Sequence, residues 1–215
     1  MKRILLVDDQ AIVCYGTIQL LKENYPRAEV TSAKDVNEMV AHLNDQNFDL
    51  IILDINIPGG SNFGMLDIIR LRQPQIKILI FSGYDPRIYG QRYLDAGAHG
   101  FLSKQAPEKE LAKAIDTVLN GGIYIPIQLK DILNEDVSPK ARTSGNPLEL
   151  LSNREIEVMN LLSEGLSPLE ISVRLNLQLS TVSTYKHRIF EKLNVNNVID
   201  LVQKTRLYSS APKDE

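Results

Sequence analysis

The N-terminal part of the chain, as far as Leu119, alternates between short apolar runs and longer amphipathic segments, and this alternation limits the possible folds. Three runs are wholly apolar: Ile4–Val7, Leu50–Leu53 and Ile78–Phe81. Continuous apolar runs of this length are typical of strands that are buried on both faces of a sheet. Ala28–Thr31 and His99–Leu102 are weaker candidates for the same kind of strand.

Between these runs, apolar residues recur at helical spacing. The predicted helices are Ala11–Asn24, Val36–Asn44, Met65–Arg72, Arg87–Ala96 and Pro107–Leu119. Five successive strand–helix units predict an α/β doubly wound, flavodoxin-like fold with a five-stranded parallel sheet. In such folds the functional crevice lies at the carboxyl ends of the strands.

The remaining sequence divides into a polar segment, a helical segment and a short tail. The pattern of units predicts a first domain over residues 1–121, and the turn-forming residues that follow predict a linker over 122–147. Residues 148–208 show helical periodicity and no strand candidate, which predicts an all-α domain of four helices. Residues 209–215 are expected to be disordered.

Composition excludes several classes of protein. The net charge of −3 shows no overall preference for a polyanion, so any nucleic-acid site has to be local. Cys14 is the single cysteine, which excludes an intramolecular disulfide and fits a reducing compartment. The apolar run after Met1 is too short for a signal peptide, and no run reaches the length of a membrane helix. We therefore expect a cytoplasmic protein without a membrane partner.

Four of the five predicted strands are followed by polar residues suited to phosphate chemistry. Asp8 and Asp9 follow the first strand, Asp54 follows the third, Ser82 the fourth and Lys104 the fifth. Carboxylates that converge on one sheet edge repel one another unless a cation neutralises them, and oxygen ligands favour Mg²⁺. A carboxylate can also attack phosphorus and form an aspartyl phosphate, with a lysine and a hydroxyl stabilising the transferred group.

In this order and at these strand ends, the residues resemble the receiver domain of bacterial two-component systems. The resemblance rests on LLVDDQ, LILDINIP, IFSGY and GFLSK. It implies that Asp54 is the phosphoacceptor, that a sensor histidine kinase is the phosphodonor, and that Mg²⁺ is the cofactor. The implied metal ligands are Asp8, Asp9, Asp54 and the backbone carbonyl of Asn56.

The same resemblance assigns two further roles. It implies that Ser82 and Lys104 bond the phosphoryl group, and that Ser82 and Phe101 form a switch in which Phe101 turns inward after phosphorylation. The segment Pro58–Gly64 departs from the family, since it is longer than the usual loop after the acceptor.

The second domain carries two helix-start patterns followed by a longer polar helix. Ser152 with Glu155 predicts a capping box, and Ser167 followed by Pro168 predicts a second helix start. The segment Asn176–Leu179 is expected to form a turn before a third helix that begins at Ser180 or Thr181 and ends at Leu193; a fourth is predicted over Asn197–Leu207. A short helix, a tight turn and a longer helix predict a helix-turn-helix.

This segment resembles the LuxR-type DNA-binding domain, which makes the whole chain similar to the NarL/FixJ class of response regulators. The matching residues are Leu151, Ser152, Arg154, Glu155, Gly165, Glu170, Ile171, Leu175, Thr181, Val182, Lys192 and Leu193. One departure concerns recognition, because Ser183 stands where the family commonly has a basic residue. Double-stranded promoter DNA is the implied partner.

Charge in this domain is divided between its two halves. Residues 148–179 carry two basic and five acidic side chains, whereas residues 180–207 carry five basic and two acidic ones. On the third helix, Val182, Ile189 and Leu193 share one face, which we expect to be the core. The expected DNA contacts are base edges for Ser183, Thr184 and His187 and phosphates for Lys186 and Arg188.

Together these features predict a transcriptional regulator, not an enzyme, whose promoter binding and dimerisation depend on phosphorylation of Asp54. One alternative is a phosphatase of the haloacid-dehalogenase type, which also uses a strand-end aspartate and Mg²⁺. That class needs a D-x-D motif, whereas Asp8 and Asp9 are adjacent. A second alternative is a regulator that acts through phosphate-independent protein contacts; the complete set of site residues argues against it, whereas the long Pro58–Gly64 loop leaves it open.

Overall fold

The computed structural model describes residues 1–60, 63–134 and 146–209. The chain divides into two compact units, Met1–Leu133 and Asn134–Glu215. The first contains a five-stranded sheet in the order β2-β1-β3-β4-β5, and every neighbouring pair of strands is parallel. The predicted doubly wound α/β fold is therefore confirmed.

The elements of the first unit lie close to the predicted segments. The strands are β1 Arg3–Val7, β2 Glu29–Ala33, β3 Leu50–Leu53, β4 Lys77–Ser82 and β5 Gly100–Ser103. The helices are α1 Ala11–Asn24, α2 Val36–Asp45, α3 Gly64–Arg72, α4 Pro86–Asp95, α5 Glu108–Leu119 and α6 Ile127–Asn134.

The two faces of the sheet bury alternate residues of the strands. Ile4 and Leu6 of β1 pack with Leu50 and Ile52 of β3 on the face covered by α1 and α5. The intervening residues, such as Leu5, point to the opposite face and are also fully buried. Because both faces are covered, these strands have no polar face, as their apolar runs predicted.

In the structure the first compact unit runs to Leu133, past residue 121, where the sequence places the end of the first domain. After α5, Tyr124 forms a parallel bridge with Gly100 at the outer edge of β5. Helix α6 follows, with Leu129 buried. The extra segment belongs to this unit because it covers backbone groups of an edge strand. Of the predicted linker 122–147, residues 135–145 lie outside the described part of the chain, as do residues 210–215 of the tail.

The second unit consists of helices, as predicted. After a 3-10 turn at Pro147–Leu150, the helices are α7 Asn153–Ser163, α8 Pro168–Arg174, α9 Leu179–Leu193 and α10 Val198–Ser209. Both α7 and α8 begin with a complete capping box, Ser152 with Glu155 and Ser167 with Glu170. In the turn between α8 and α9, Asn176 has a φ of 52°, a left-handed conformation that asparagine tolerates.

An ion pair fixes the C-terminal end of α9 to the start of α7. Lys192 Nζ lies 2.7 Å from Glu155 Oε2 and donates a 3.2 Å hydrogen bond to the carbonyl of Leu150. The same Glu155 oxygen accepts from the Ser152 N–H at 2.7 Å. Burial alone would raise the pKa of Glu155, but these hydrogen bonds hold the pKa below its usual value. The pair thus positions α9.

We expect Lys192→Met to destabilise the second unit by about 1–3 kcal/mol, because it leaves the buried Glu155 carboxylate without its cation. A carboxylate with a lowered folded-state pKa stabilises the protein above its ordinary pKa of 4.5, and this contribution disappears as the pH falls through the lower value. The difference from wild type should therefore be present at neutral pH and shrink in acid. Hydrogen exchange of α7 and α9 measures it.

Lys204→Met in α10 is the matched control, since Lys204 forms no ion pair within the described part of the chain. It should leave exchange in α7 and α9 unchanged. Equal exchange in the two variants would contradict the positioning role of the pair between Lys192 and Glu155.

Candidate functional site

The carboxyl ends of β1, β3 and β5 bring two aspartates and a lysine together. Lys104 Nζ lies 2.6 Å from Asp8 Oδ2 and 2.7 Å from Asp54 Oδ2. The side chains of Asp8 and Asp54 are 1% and 3% exposed, and that of Lys104 is 11% exposed. One ammonium group therefore balances two buried carboxylates.

The protonation of this cluster follows from burial and hydrogen bonding. Burial raises the pKa of Asp8, although the bonds from Lys104 and from the Gln10 N–H oppose the shift. Burial would lower the pKa of Lys104, but its bonds to Asp54 and Asp8 raise it above the usual value. The lysine consequently remains a cation throughout the physiological pH range.

The acidic residues fit a divalent cation. Asp8, Asp9 and Asp54 each present an oxygen, and these oxygens lie within 4.8 Å of one another. Asp9 is exposed to solvent, whereas the other two are buried. Three carboxylate oxygens at the mouth of a crevice form a hard donor set of the kind that Mg²⁺ prefers.

Backbone groups around the site orient the two buried aspartates. The Gln10 N–H donates to Asp8 Oδ1 at 2.9 Å, and the Asn56 N–H donates to Asp54 Oδ1 at 3.1 Å. Cys14 of α1 is half-buried and donates from Sγ to the Asp8 carbonyl at 3.3 Å. Sequence reasoning missed Gln10, although an aspartate that bonds the backbone two residues later is a recognisable turn pattern.

The long loop after β3 is anchored at several points. The Pro58 carbonyl accepts from the Val36 N–H at 3.2 Å, and the Gly60 N–H donates to the Ile57 carbonyl at 3.0 Å. Gly59 has a φ of 76°, which favours glycine. At its other end, Phe63 stacks on Tyr93 of α4. Ser61 and Asn62 lie outside the described residues.

Ser82 and Phe101 lie on neighbouring strands but in different surroundings. Ser82 is buried at the end of β4, and its carbonyl accepts from the Lys104 N–H at 2.8 Å, so the two residues lie on adjacent strand ends. Phe101 is fully buried and packs against Tyr93 of α4. Its ring is thus already in an inward position.

The predicted DNA-contacting residues lie on α9. Val182, Ile189 and Leu193 are buried, which confirms the expected core face. Ser183, Thr184, His187 and Arg188 are exposed. His187 pairs with Glu191 at 3.5 Å, and the half-buried Lys186 lies over the Phe190 ring, 5.4 Å from its centroid.

Two family descriptions match the two units. Residues 4–116 match the response regulator receiver domain, and residues 149–205 match the bacterial regulatory proteins of the luxR family. The chain is a response regulator of the NarL/FixJ class. This class consists of DNA-binding regulators of two-component systems and is not a known class of enzyme.

Proteins similar to this response regulator match it over nearly the full length of both chains. It is 31% identical to the Fimbriae Z protein of Escherichia coli K12 over 205 residues, covering 95% of this chain and 96% of that one. It is also 31% identical to the oxygen regulatory protein NreC of Staphylococcus carnosus, covering 94% of this chain and 95% of that protein.

Among solved structures, RcsB from Salmonella enterica serovar Typhimurium, bound to the promoter rprA in the presence of phosphomimetic BeF3⁻, is similar with a TM-score of 0.80. The identity is 25%, and the match covers 98% of this chain and 99% of RcsB. Within the described residues, none of the helices of this response regulator combines the length and apolar character needed to cross a bilayer.

We expect Lys104→Met to lower the stability of the first unit by as much as about 3 kcal/mol, because two buried carboxylates lose their shared cation. Added Mg²⁺ should stabilise this variant more than wild type, since the ion then neutralises charge that the lysine no longer balances. Thermal unfolding with and without Mg²⁺ measures both effects. The control is Lys109→Met, which removes an exposed lysine; a Mg²⁺ effect equal in all three proteins would contradict the charge argument.

Proposed function

We propose that this response regulator controls transcription through phosphorylation of Asp54 by a sensor histidine kinase. The observation that carries the proposal is the contact of Lys104 Nζ with both Asp54 and Asp8 at the carboxyl edge of the sheet. A buried carboxylate beside a fixed cation can receive a phosphoryl group whose charge that cation already helps to balance. The proposed compartment is the cytoplasm.

In the proposed transfer, an oxygen of Asp54 attacks the phosphorus of a phosphohistidine. A P–O bond forms as the P–N bond breaks, and the electron pair of that bond leaves with the imidazole, which takes up a proton. Lys104 and the Ser82 hydroxyl then donate hydrogen bonds to the phosphoryl oxygens. Asp8, Asp9, Asp54 and the Asn56 carbonyl would hold Mg²⁺, which when bound supplies positive charge to the transferring group.

The proposed output is binding of α9 to the major groove of promoter DNA. Ser183, Thr184 and His187 are the proposed readers of base edges, and Lys186 and Arg188 the proposed phosphate contacts. The similarity to RcsB bound to a promoter supports this role. Phosphorylation is proposed to favour a homodimer. When one subunit of a dimer binds its DNA half-site, the effective concentration of the other subunit at the second half-site rises.

Asp54→Asn should abolish phosphorylation by acetyl phosphate in the presence of Mg²⁺, because the neutral amide that replaces the carboxylate is not a nucleophile. Intact mass should show one hydroxylamine-labile phosphoryl group on wild type and none on the variant. Asp67→Asn, which changes an exposed aspartate of α3, is the matched control and should label normally. Equal labelling of Asp54→Asn would overturn the assignment.

A second outcome of this experiment concerns the alternative role. If wild type is labelled but phosphorylation changes neither DNA affinity nor the association state in sedimentation, a regulator that acts through phosphate-independent protein contacts is favoured instead.

Lys186→Ala or Arg188→Ala should weaken binding to all DNA sequences and reduce the slope of log affinity against log salt by about 1, because each loses one phosphate contact. Changes at Ser183, Thr184 or His187 should instead alter base preference. Binding titrations over a range of salt concentrations on wild-type and substituted sites separate the two effects. Lys109→Ala in the first unit is the charge-matched control, and wild-type behaviour in all five α9 variants would place the interface elsewhere.

A further inference from the structure

Three aromatic rings connect the loop after β3 with strand β5. Phe63 stacks on Tyr93 with ring centroids 4.4 Å apart and planes inclined by 23°. Tyr93 packs in turn against Phe101, with centroids 6.1 Å apart. We call Phe63, Tyr93 and Phe101 the aromatic ladder. It crosses from the loop of the phosphoacceptor, through α4, to the proposed switch residue.

The first ring of the ladder belongs to the Pro58–Gly64 loop that follows the phosphoacceptor strand. Phe63 directly precedes α3, and its carbonyl accepts from the Leu66 N–H at 3.0 Å. Asp54 at the other end of the same loop accepts from the Asn56 N–H. A phosphoryl group on Asp54 would compete for donors such as this N–H, and the same segment between β3 and α3 carries Phe63, where the ladder begins.

At the far end of the ladder, α4 meets α6 at a glycine. A Cβ on Gly90 would lie 3.2 Å from Leu129 Cδ2 and 3.9 Å from Phe101 Cγ, so this glycine lies next to both the ladder and α6. Glycine is less favourable than alanine within a helix. A close approach of the two helices accounts for its presence here.

We propose that the aromatic ladder transmits the state of the Asp54 loop to α6, and that the packing of α6 against α4 is the signal that leaves the first unit. This inference rests on the proposed function. Phe101 is fully buried here, so an inward turn of that ring has no exposed position from which to start. A shift of α4 against Leu129 changes α6, the last element of this unit before the chain continues to the DNA-binding unit.

Hydrogen exchange of the full chain with Mg²⁺ tests the transmission. Adding beryllofluoride, a phosphoryl mimic, should change exchange in residues 54–60 and in residues 127–134 of wild type. Phe63→Ala should keep the first response and lose the second, because it removes the stack on Tyr93 but none of the residues around Asp54. Phe63→Tyr retains the ring and should behave as wild type.

A second pair of variants tests the contact at α6 without any phosphoryl mimic. Gly90→Ala should increase exchange in residues 127–134, because the new methyl group forces Leu129 away. Gly16→Ala is the matched control, since Gly16 is also helical but has no atom within 4 Å of the added Cβ. Exchange in α6 that is equal in these two variants would overturn the proposed contact.

The outcomes separate the inference from the proposed function. If beryllofluoride changes neither segment of wild type, the proposed phosphoryl site fails and the inference falls with it. A response in residues 54–60 with none in residues 127–134, or a full α6 response in Phe63→Ala, overturns the inference alone.

Discussion

The contact of Lys104 with Asp8 and Asp54 is the interaction on which the first unit depends. Parallel strands end at one edge of the sheet, so their polar residues are forced into one small volume where water is scarce. Two carboxylates in such a place repel each other strongly unless a cation stands between them. The lysine meets this requirement from β5, while β1 and β3 supply the acids. The same electrostatic demand makes the edge suitable for a metal ion and a phosphoryl group.

Most of the fold of the first unit could be predicted because its strands are buried on both faces. Apolar runs such as Leu50–Leu53 carry that signal directly, and this strand has the predicted bounds. The strand signal is weaker for β2, since Glu29–Ala33 mixes polar and apolar residues and lies at the sheet edge. Helix α6 was missed because its segment follows turn-forming residues, and its place is decided by tertiary contacts of Tyr124 and Leu129.

The candidate site could also be predicted only in part from the sequence. The identity and order of Asp8, Asp54 and Lys104 were sufficient to predict that they meet. The carboxyl ends of parallel strands lie at one edge of the sheet, independently of loop conformation. The stack of Phe63 on Tyr93 was not predictable, because it joins a loop and a helix that are distant in sequence. In the second unit, local pattern predicted the capping box of Ser152 with Glu155 and the helix start at Ser167, but not that Lys192 would pair with Glu155. One of the five basic residues in that half is thus paired with an acidic side chain of the same unit and contributes less to attraction of DNA.

The bridge between Tyr124 and Gly100 has a consequence for how this receiver can be separated from its partner domain. Strand β5 is the outer strand of the sheet, and the segment around Tyr124 covers its free edge. A fragment ending at Gly121 would expose that row of backbone donors and acceptors to other molecules. Such a fragment would be prone to strand-to-strand aggregation, whereas one that ends after α6 keeps the edge covered. The folded receiver unit therefore extends past residue 116, where the match to the receiver family ends.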